Sequence, residues 1–274
     1  MIKVTGPDWP TTRTLRAALA QVPQTGTIHW GASPCDKFEA LKRLAAAGIP
    51  TPQWRPDCPP QRPGEVWLGR RTTHHSGRDI LFPPSRGADR SYRELYASRD
   101  FYVLLIPSRR EFRVHVWGEH ADRMGFKQQT TEIPRDKKLR RIVRSSECGW
   151  QLCYNYEQLC TITTSDERKE LRRLARASCA ALGVVGGAVD ILQANDGKFY
   201  VLELNTAPAL GENTLDHYVR RICEWVDSGS LPVTETPPTS TTTPVPERRR
   251  AATVAAPAPQ AIVWDDEDQS EVNW

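Results

Sequence analysis

Apolar residues recur at helical spacing in three segments of the chain. The clearest segment opens at Ser165, repeats its apolar positions at steps of three and four residues, and stops before Gly183, as is typical of an amphipathic helix. A second helix is predicted from Ser33, with a proline at its first position and Gly48 at its end. A third helix is predicted from Thr214 onward.

Six segments between these helices have strand patterns instead. The predicted strands are residues 66–71, 79–82, 101–106, 111–117, 187–193 and 198–205. Residues 101–106 are continuously apolar, which indicates a strand buried on both faces. Residues 111–117 alternate, which places Phe112, Val114 and Val116 on the core face and Glu111, Arg113 and His115 on the opposite face. Because short turns separate several of these strands, the pattern favours an α+β fold with an antiparallel sheet. The first 32 residues add one weak helix, 12–21.

The composition is that of a chain that buries a core in one or two domains, with 39% hydrophobic and 26% charged residues. Residues 228–274 are rich in Pro, Thr, Ser and Ala, which predicts a disordered tail. This tail has three basic and seven acidic side chains, a balance of −4, so the net charge of +4 leaves +8 on the first 227 residues. Its acidic end is either solvated or a docking motif for a basic protein partner. The mildly basic body suits an anionic ligand such as a nucleotide, and nucleic-acid binding is not expected because the basic residues are spread out.

Two further classes are excluded by what the sequence lacks. The seven cysteines form no Cys-x-x-Cys pair and have no histidine at zinc spacing, so they are predicted to be reduced thiols. No stretch reaches the roughly 18 apolar residues of a membrane span, and the first residues lack the apolar centre of a secretory signal. A cytoplasmic location is therefore expected.

A hairpin near the end of the body predicts a metal site. Asp196-Gly197 between two strand patterns indicates a two-residue turn, which places Asp190 directly opposite Glu203 with Asn205 on the same side of the sheet. Facing carboxylates repel each other unless a cation lies between them, and oxygen ligands of this kind suit Mg²⁺ or Mn²⁺. The alternative is a solvated polar strand face.

The same segment resembles the end of an ATP-grasp domain. The matching residues are Asp190, the run from Leu202 to Asn205, the following Thr206-Ala207-Pro208-Ala209-Leu210, and the preceding Ala181-Leu182-Gly183. The resemblance is to the glutamate-ligase-like (RimK-type) branch, with phage-encoded ATP-grasp proteins most similar in appearance. In that family the matching Asp, Glu and Asn hold the magnesium ions that bridge the phosphates of ATP. The resemblance therefore implies ATP and Mg²⁺, or Mn²⁺, as cofactors.

Upstream segments are similar to the nucleotide-binding parts of the same family. The residues that the resemblance assigns to ATP are Lys37, Arg70, Arg71, Ser76, Gly77, Tyr102, Val103 and Lys127. Lys37 matches an ATP-contacting lysine, although a lysine in a first helical turn is more often only solvated. Residues 66–80 resemble the strand and loop that close over the phosphates. There, Arg70 or Arg71 replaces the family's lysine, and Gly77 is the loop's one glycine. His74 and His75 are either phosphate contacts or plain loop residues.

Two other matches concern adenine and the transferred phosphate. Tyr102 and Val103 lie in the segment that matches the strand leading to the hinge whose backbone holds adenine. Arg113, within a Glu-x-Arg-Val pattern, matches the arginine that contacts the transferred phosphate, so the resemblance makes it the candidate catalytic residue.

The resemblance implies an ATP-grasp fold of two α+β lobes with ATP between them. The expected parts are a short N-terminal segment 1–32, lobes 33–107 and 108–227, and the disordered tail 228–274. The implied reaction is an ADP-forming carboxylate–amine ligation through an acyl phosphate, with small-molecule, peptide or protein substrates. Typical ligases of this group carry a separate domain before the lysine, where this chain has about 32 residues. A non-catalytic Mg-ATP-binding module of a larger assembly and an ATP-grasp kinase therefore stay open as alternatives.

Overall fold

The computed structural model of the chain describes residues 1–72, 80–85, 87–130 and 142–229. The predictions for His74, His75, Ser76, Gly77 and the tail from residue 230 lie outside these ranges. In the described ranges the strands are β1 Ile2–Thr5, β2 Gly26–His29, β3 Trp54–Arg55, β4 Trp67–Arg70, β5 Phe101–Leu104, β6 Ser108–Trp117, β7 His120–Gln129, β8 Trp150–Cys153, β9 Gly186–Ala194 and β10 Phe199–Asn205. The α-helices are α1 Pro10–Leu19, α2 Lys37–Ala46, α3 Arg90–Ala97, α4 Tyr156–Ile162, α5 Ser165–Leu182 and α6 Glu212–Asp227.

The larger sheet has five antiparallel strands in the order β10-β9-β6-β7-β8. The predicted core face of β6 is fully buried with the apolar stripe of α5, as its alternation indicates. Helix α5 begins where the sequence predicts, because Thr164 and Glu167 form a capping box there. It ends at Gly183, whose φ of 67° suits glycine. The opposite face of β6 is left to carry polar side chains.

The smaller sheet has three antiparallel strands in the order β3-β5-β4. β5 lies at its centre and is buried on both faces, as predicted. Helix α2 packs against this sheet through Leu41 and reaches the core of the larger sheet through Leu44. The helix was predicted to begin after Ser33 as its N-cap, which was wrong. The Ser33 hydroxyl donates to the Cys35 carbonyl, and the Asp36 carboxylate instead accepts the first amide hydrogens of the helix.

The first 32 residues form a βαβ unit, of which the sequence pattern predicts only the helix. β1 and β2 are parallel, and α1 connects them. Leu15 and Trp30 of this unit are buried in one cluster with Trp117 of β6 and Tyr218 of α6. The amide of Gly31 donates to the carbonyl of Thr206 at 3.2 Å, directly after β10. The unit therefore shares a core with the larger sheet.

Because of this shared core, replacing Leu15 with Ala should destabilise the whole larger sheet rather than the N-terminal unit alone. Leu15 is 0% exposed, and truncation of a buried leucine costs about 3 kcal/mol in unfolding free energy. Leu95→Ala is the matched control, because Leu95 is 43% exposed on α3 and its truncation should cost under about 0.5 kcal/mol. Urea denaturation followed by far-UV circular dichroism measures both. A separate early transition in Leu15→Ala would contradict the shared core.

The cysteines lie at both buried and exposed positions of the described ranges. All seven cysteines are free thiols. Cys179 is buried in α5, and burial raises the pKa of its thiol to about 12, as expected for a core residue. No helix within the described ranges is long and apolar enough to cross a membrane.

Candidate functional site

The β9–β10 hairpin brings the predicted metal-binding side chains together. Asp190 lies opposite Glu203, as predicted. The predicted two-residue turn was wrong, because residues 195–197 form a three-residue loop in which Gly197 has a φ of 88°. This loop shifts the pairing near the turn by one residue, and a bulge between Val201 and Glu203 shifts it back. The predicted pair is therefore present because the bulge compensates for the loop.

Arg113 of β6 lies opposite Asp190 and forms an ion pair with it. Its Nε and Nη2 donate to the two carboxylate oxygens at 2.7 Å each, and the two side chains are 15% and 7% exposed. Burial alone would lower the pKa of the guanidinium, but the Asp190 carboxylate outweighs burial and raises the pKa of Arg113. The Arg113 guanidinium therefore stays charged on the polar face of the larger sheet.

Glu203 connects the two sheets through its partners. Lys37, the first residue of α2, donates from Nζ to Glu203 Oε2 at 2.8 Å, and Arg70 Nη2 of β4 lies 3.8 Å from the same oxygen. Burial alone would raise the pKa of Glu203, but Lys37 and Arg70 lower it to about 2. The following residue, Arg71, is exposed. Of the two arginines that the sequence left open, the structure brings Arg70 to this cluster.

The donor set at the hairpin fits a divalent cation that prefers oxygen. Asn205 follows Glu203 on the same strand, and its Oδ1 accepts the amide hydrogen of Ala207 at 3.0 Å, which leaves one lone pair. The described ranges contain no group of three His, Cys, Asp or Glu residues placed to hold a metal, so a site here depends on this amide oxygen. Arg113 and Lys37 already neutralise the facing carboxylates. Charge repulsion therefore does not by itself require a metal, and the predicted metal site stays a prediction.

Solved structures share this arrangement of sheets and helices. The ATP-grasp ligase PsnB complexed with a minimal precursor matches with a TM-score of 0.51 and 18% identity, over 80% of this chain and 68% of that one. The D-alanine–D-alanine ligase from Bacillus anthracis complexed with ATP matches with a TM-score of 0.52 and 13% identity, over 84% of this chain and 96% of that one. This chain has the ATP-grasp fold.

Similarity in sequence is confined to a short segment. No protein-family model matches the chain. The D-alanine–D-alanine ligase of Pseudomonas fluorescens is 43% identical over 61 residues, which are 22% of this chain and 18% of that protein. The chain thus spans about a fifth of the length of the relatives it matches. The ATP-grasp fold is shared over most of the chain, whereas activity and substrates are matters for proposal.

Within the ATP-grasp fold of this chain, Tyr102 and Val103 lie inside a sheet. They belong to β5, which pairs with β3 on one side and β4 on the other. The Tyr102 hydroxyl donates to the carbonyl of Tyr96 at 2.7 Å. Because the backbone groups of a central strand are used by its neighbours, the adenine contact of Tyr102 and Val103 stays a prediction.

Lys127 lies on the same polar face as Arg113, beside a buried acid. Its Nζ is 3.5 Å from Glu111 Oε1 and also contacts the Arg144 carbonyl. Burial raises the pKa of Glu111 to about 7, although Lys127 opposes this shift. Glu111 therefore titrates close to neutral pH.

The free energy of unfolding should depend on pH through Glu111. The folded chain keeps the Glu111 proton up to about pH 7, whereas the unfolded chain loses it near pH 4.5. The stabilisation from this group is therefore complete below pH 4.5 and is lost as the pH rises through 7. Glu111→Gln should gain about 1–3 kcal/mol relative to the native chain between pH 4.5 and pH 8, as measured by urea denaturation. Glu119→Gln, in the exposed β6–β7 turn, is the control, and equal profiles for both variants would contradict the assignment.

A pocket of about 310 Å³ opens beside Arg113. Its wall includes Arg123 of β7, Tyr154 after β8, and the first turn of α6. The Arg123 guanidinium lies 4.4 Å from the centre of the Tyr154 ring and donates to the Thr214 hydroxyl at 3.1 Å. This cation–π contact and the hydrogen bond hold Arg123 against the pocket wall.

Sequence reasoning missed Arg123 and Tyr154, because it predicted neither β7 nor β8. A signal for β7 was present in the sequence. Gly118 follows the alternating residues of β6, and it has a φ of 56° in the two-residue turn that pairs Trp117 with His120. A glycine at the first position of such a turn is a common hairpin signal.

Proposed function

We propose that the chain is an ATP-dependent carboxylate–amine ligase that forms ADP and phosphate. One observation carries this proposal: Lys37, Arg70 and Arg113 converge with Asp190 and Glu203 between the two sheets of an ATP-grasp fold. Three cations from three different elements create an anion-binding cleft, and the acids beside them suit a phosphate-bound cation. Within the fold we assign the chain to the RimK-type branch, with likeness to phage-encoded members, on the motif quoted from its sequence.

The cleft offers a separate place for each part of Mg-ATP. Lys37 and Arg70 would hold the phosphates, with forked hydrogen bonds available from the arginine. The backbone at Ile106, shortly after Tyr102 and Val103 of β5, would contact adenine. Magnesium, or manganese, would be held by Asp190, Glu203 and Asn205, and it supplies neutralisation of the phosphate charge.

The proposed reaction has two steps. A substrate carboxylate oxygen attacks the terminal phosphorus of ATP, and ADP leaves, so that an acyl phosphate forms. The nitrogen of an amine then bonds to the acyl carbon while the bond from that carbon to the phosphate oxygen breaks. Arg113 would stabilise the charge on the transferred phosphoryl group, with Lys127 on the same face. No covalent protein nucleophile takes part.

Small amino acids or short peptides are the proposed substrates. The matched sequence relatives are named D-alanine–D-alanine ligases, and the structural neighbour PsnB is complexed with a precursor. The pocket of about 310 Å³ beside Arg113 has the size for one small residue. D-Alanine is therefore the first probe. A cytoplasmic location is proposed as well, because the proposed reaction consumes ATP.

Product analysis tests this proposal. The purified full-length chain is incubated with ATP, magnesium and D-alanine, then with a panel of other amino acids, and ADP, phosphate and organic products are quantified. A ligase releases ADP and phosphate in equal amounts together with an amide. A phosphorylated acceptor without free phosphate would show a kinase, and ATP binding without turnover across the panel would favour a non-catalytic module. Asp190→Asn should abolish turnover, whereas Asp166→Asn, exposed on α5, should not.

A further inference from the structure

His115 lies at the centre of a buried hydrogen-bonded chain on the polar face of β6. It is 0% exposed. Its Nδ1 is 3.0 Å from the hydroxyl of Tyr218, and its Nε2 is 2.8 Å from the hydroxyl of Tyr154. The Tyr218 hydroxyl is also 2.9 Å from the carbonyl of Gly187. The proposed phosphoryl transfer uses none of these three side chains.

The hydrogen bonds among His115, Tyr218 and Tyr154 determine which of their atoms carry a hydrogen. A carbonyl oxygen only accepts, so Tyr218 donates its one hydroxyl hydrogen to the carbonyl of Gly187. Tyr218 must then accept from Nδ1 of His115, which therefore carries a hydrogen. Burial lowers the pKa of His115 well below its usual range, so the ring is neutral and Nε2 has no hydrogen. Nε2 consequently accepts the hydroxyl hydrogen of Tyr154.

Tyr154 connects this buried chain to the pocket beside Arg113. Its ring lies over Gly125, where a Cβ atom would come within 2.7 Å of the ring, and Gly125 is paired with Arg113 across β6 and β7. Tyr154 also lines the pocket, under the guanidinium of Arg123. The Tyr154 side chain thus links a neutral imidazole to the pocket beside Arg113, which is the proposed place of the small-residue substrate.

We propose that Tyr154, backed by His115, accepts the proton that the amine loses as the amide bond forms; this rests on the proposed ligase function. The amine binds in its uncharged form, having given its ammonium proton to water; its nitrogen bonds to the acyl carbon, phosphate leaves with the electron pair of the broken C–O bond, and the proton that the nitrogen then loses passes to Tyr154 Oη. In the same movement the phenolic proton of Tyr154 passes to His115 Nε2. The nitrogen becomes strongly acidic as it forms its new bond, so a weak base such as this histidine suffices.

The surroundings favour rapid release of that proton. Arg113, Arg123 and His217 face His115 and disfavour a positive charge on its ring. The described charged groups around Tyr154 are Arg113, Arg123 and Asp190. The proton is therefore returned through Tyr154 to the departing phosphate or to water, and the pair is reset for another turnover.

Separating the two half-reactions tests this proposal. With D-alanine as acid and amine, Tyr154→Phe should lower D-alanyl-D-alanine formation at least about 100-fold. With hydroxylamine in place of the amine, the same variant should form the hydroxamate of D-alanine within about threefold of the native rate, because hydroxylamine is a strong nucleophile that traps acyl phosphates without a general base. Tyr156→Phe is the matched control, since Tyr156 is 59% exposed, and it should change neither rate. Equal losses in both assays would reduce Tyr154 to a positioning role and overturn the proposal.

Nitrogen NMR of histidine-labelled full-length protein provides a second test that needs no substrate. The proposal expects His115 to carry its hydrogen on Nδ1, with Nε2 unprotonated, and expects Tyr154→Phe to shift the Nε2 resonance more than the Nδ1 resonance. A hydrogen on Nε2, or an Nε2 resonance unchanged in Tyr154→Phe, would overturn the proton path. Failure of the native chain to turn over D-alanine would instead count against the proposed substrate. The NMR result would still test the hydrogen bond between His115 and Tyr154 on which the proton path depends.

Discussion

Glu203→Gln should weaken the binding of ATP in the presence of magnesium by about 100-fold, which corresponds to about 2.7 kcal/mol. The uncharged amide is a poor ligand for a hard cation, so the proposed magnesium site loses one of its two carboxylates. Without magnesium, Glu203→Gln is not expected to weaken the binding of ATP. Glu203 neutralises Lys37 in the free chain, and its loss should leave this cation available to the phosphates. Magnesium-free ATP should therefore bind the variant at least as tightly as the native chain.

Calorimetric titration with and without magnesium measures both effects. Asn205→Ala should show the same loss of magnesium dependence, and neither variant should unfold, because both side chains are only partly buried. Glu170→Gln is the matched control, since Glu170 pairs with Arg173 on the exposed face of α5 and has no role in the cleft. Unchanged affinity in both Glu203→Gln and Asn205→Ala would remove the metal assignment.

Arg113→Met should cost about 3–5 kcal/mol in unfolding free energy and lower turnover by about two to three orders of magnitude. The stability loss arises because Asp190, 7% exposed, loses the two 2.7 Å hydrogen bonds that compensate for its burial. The activity loss arises because a thioether cannot stabilise charge on a transferred phosphoryl group.

A double variant separates these two effects. Arg113→Met combined with Asp190→Asn removes both charges, so it should recover much of the stability while remaining inactive. Arg173→Met, which breaks an exposed pair, should cost under about 1 kcal/mol. Urea denaturation measures the three stabilities. A double variant as unstable as Arg113→Met would show that the buried ion pair is not the source of the loss.

Local sequence signals predict the parts of this fold that local contacts determine. Helix α5 begins and ends where its capping residues and Gly183 place the boundaries, because a capping box and a glycine stop act within four residues. Helix α2 shows the limit of such signals. Ser33 and Asp36 are both suitable N-caps by residue type. The structure shows that Asp36 is the cap, because its carboxylate accepts from the helix amides while the Ser33 hydroxyl donates to the Cys35 carbonyl.

Long-range pairing accounts for most of what the sequence did not predict. The ion pair of Arg113 with Asp190 joins residues 77 apart, and nothing in either segment names the other as its neighbour. β1 and β2 are four residues long and only partly buried, and they pair across a helix, so their patterns are too short to read. The pairing of Asp190 with Glu203 was predicted from a two-residue turn that the chain does not form, and it is present because a bulge in β10 restores the register.

The proposed ligase requires a cleft that binds Mg-ATP between the two sheets, and calorimetric titration of ATP into the purified full-length chain tests this most directly. Three cations and three oxygen ligands at one place predict binding in the micromolar range that requires magnesium. Equal affinity with and without magnesium, or no binding under either condition, would contradict it.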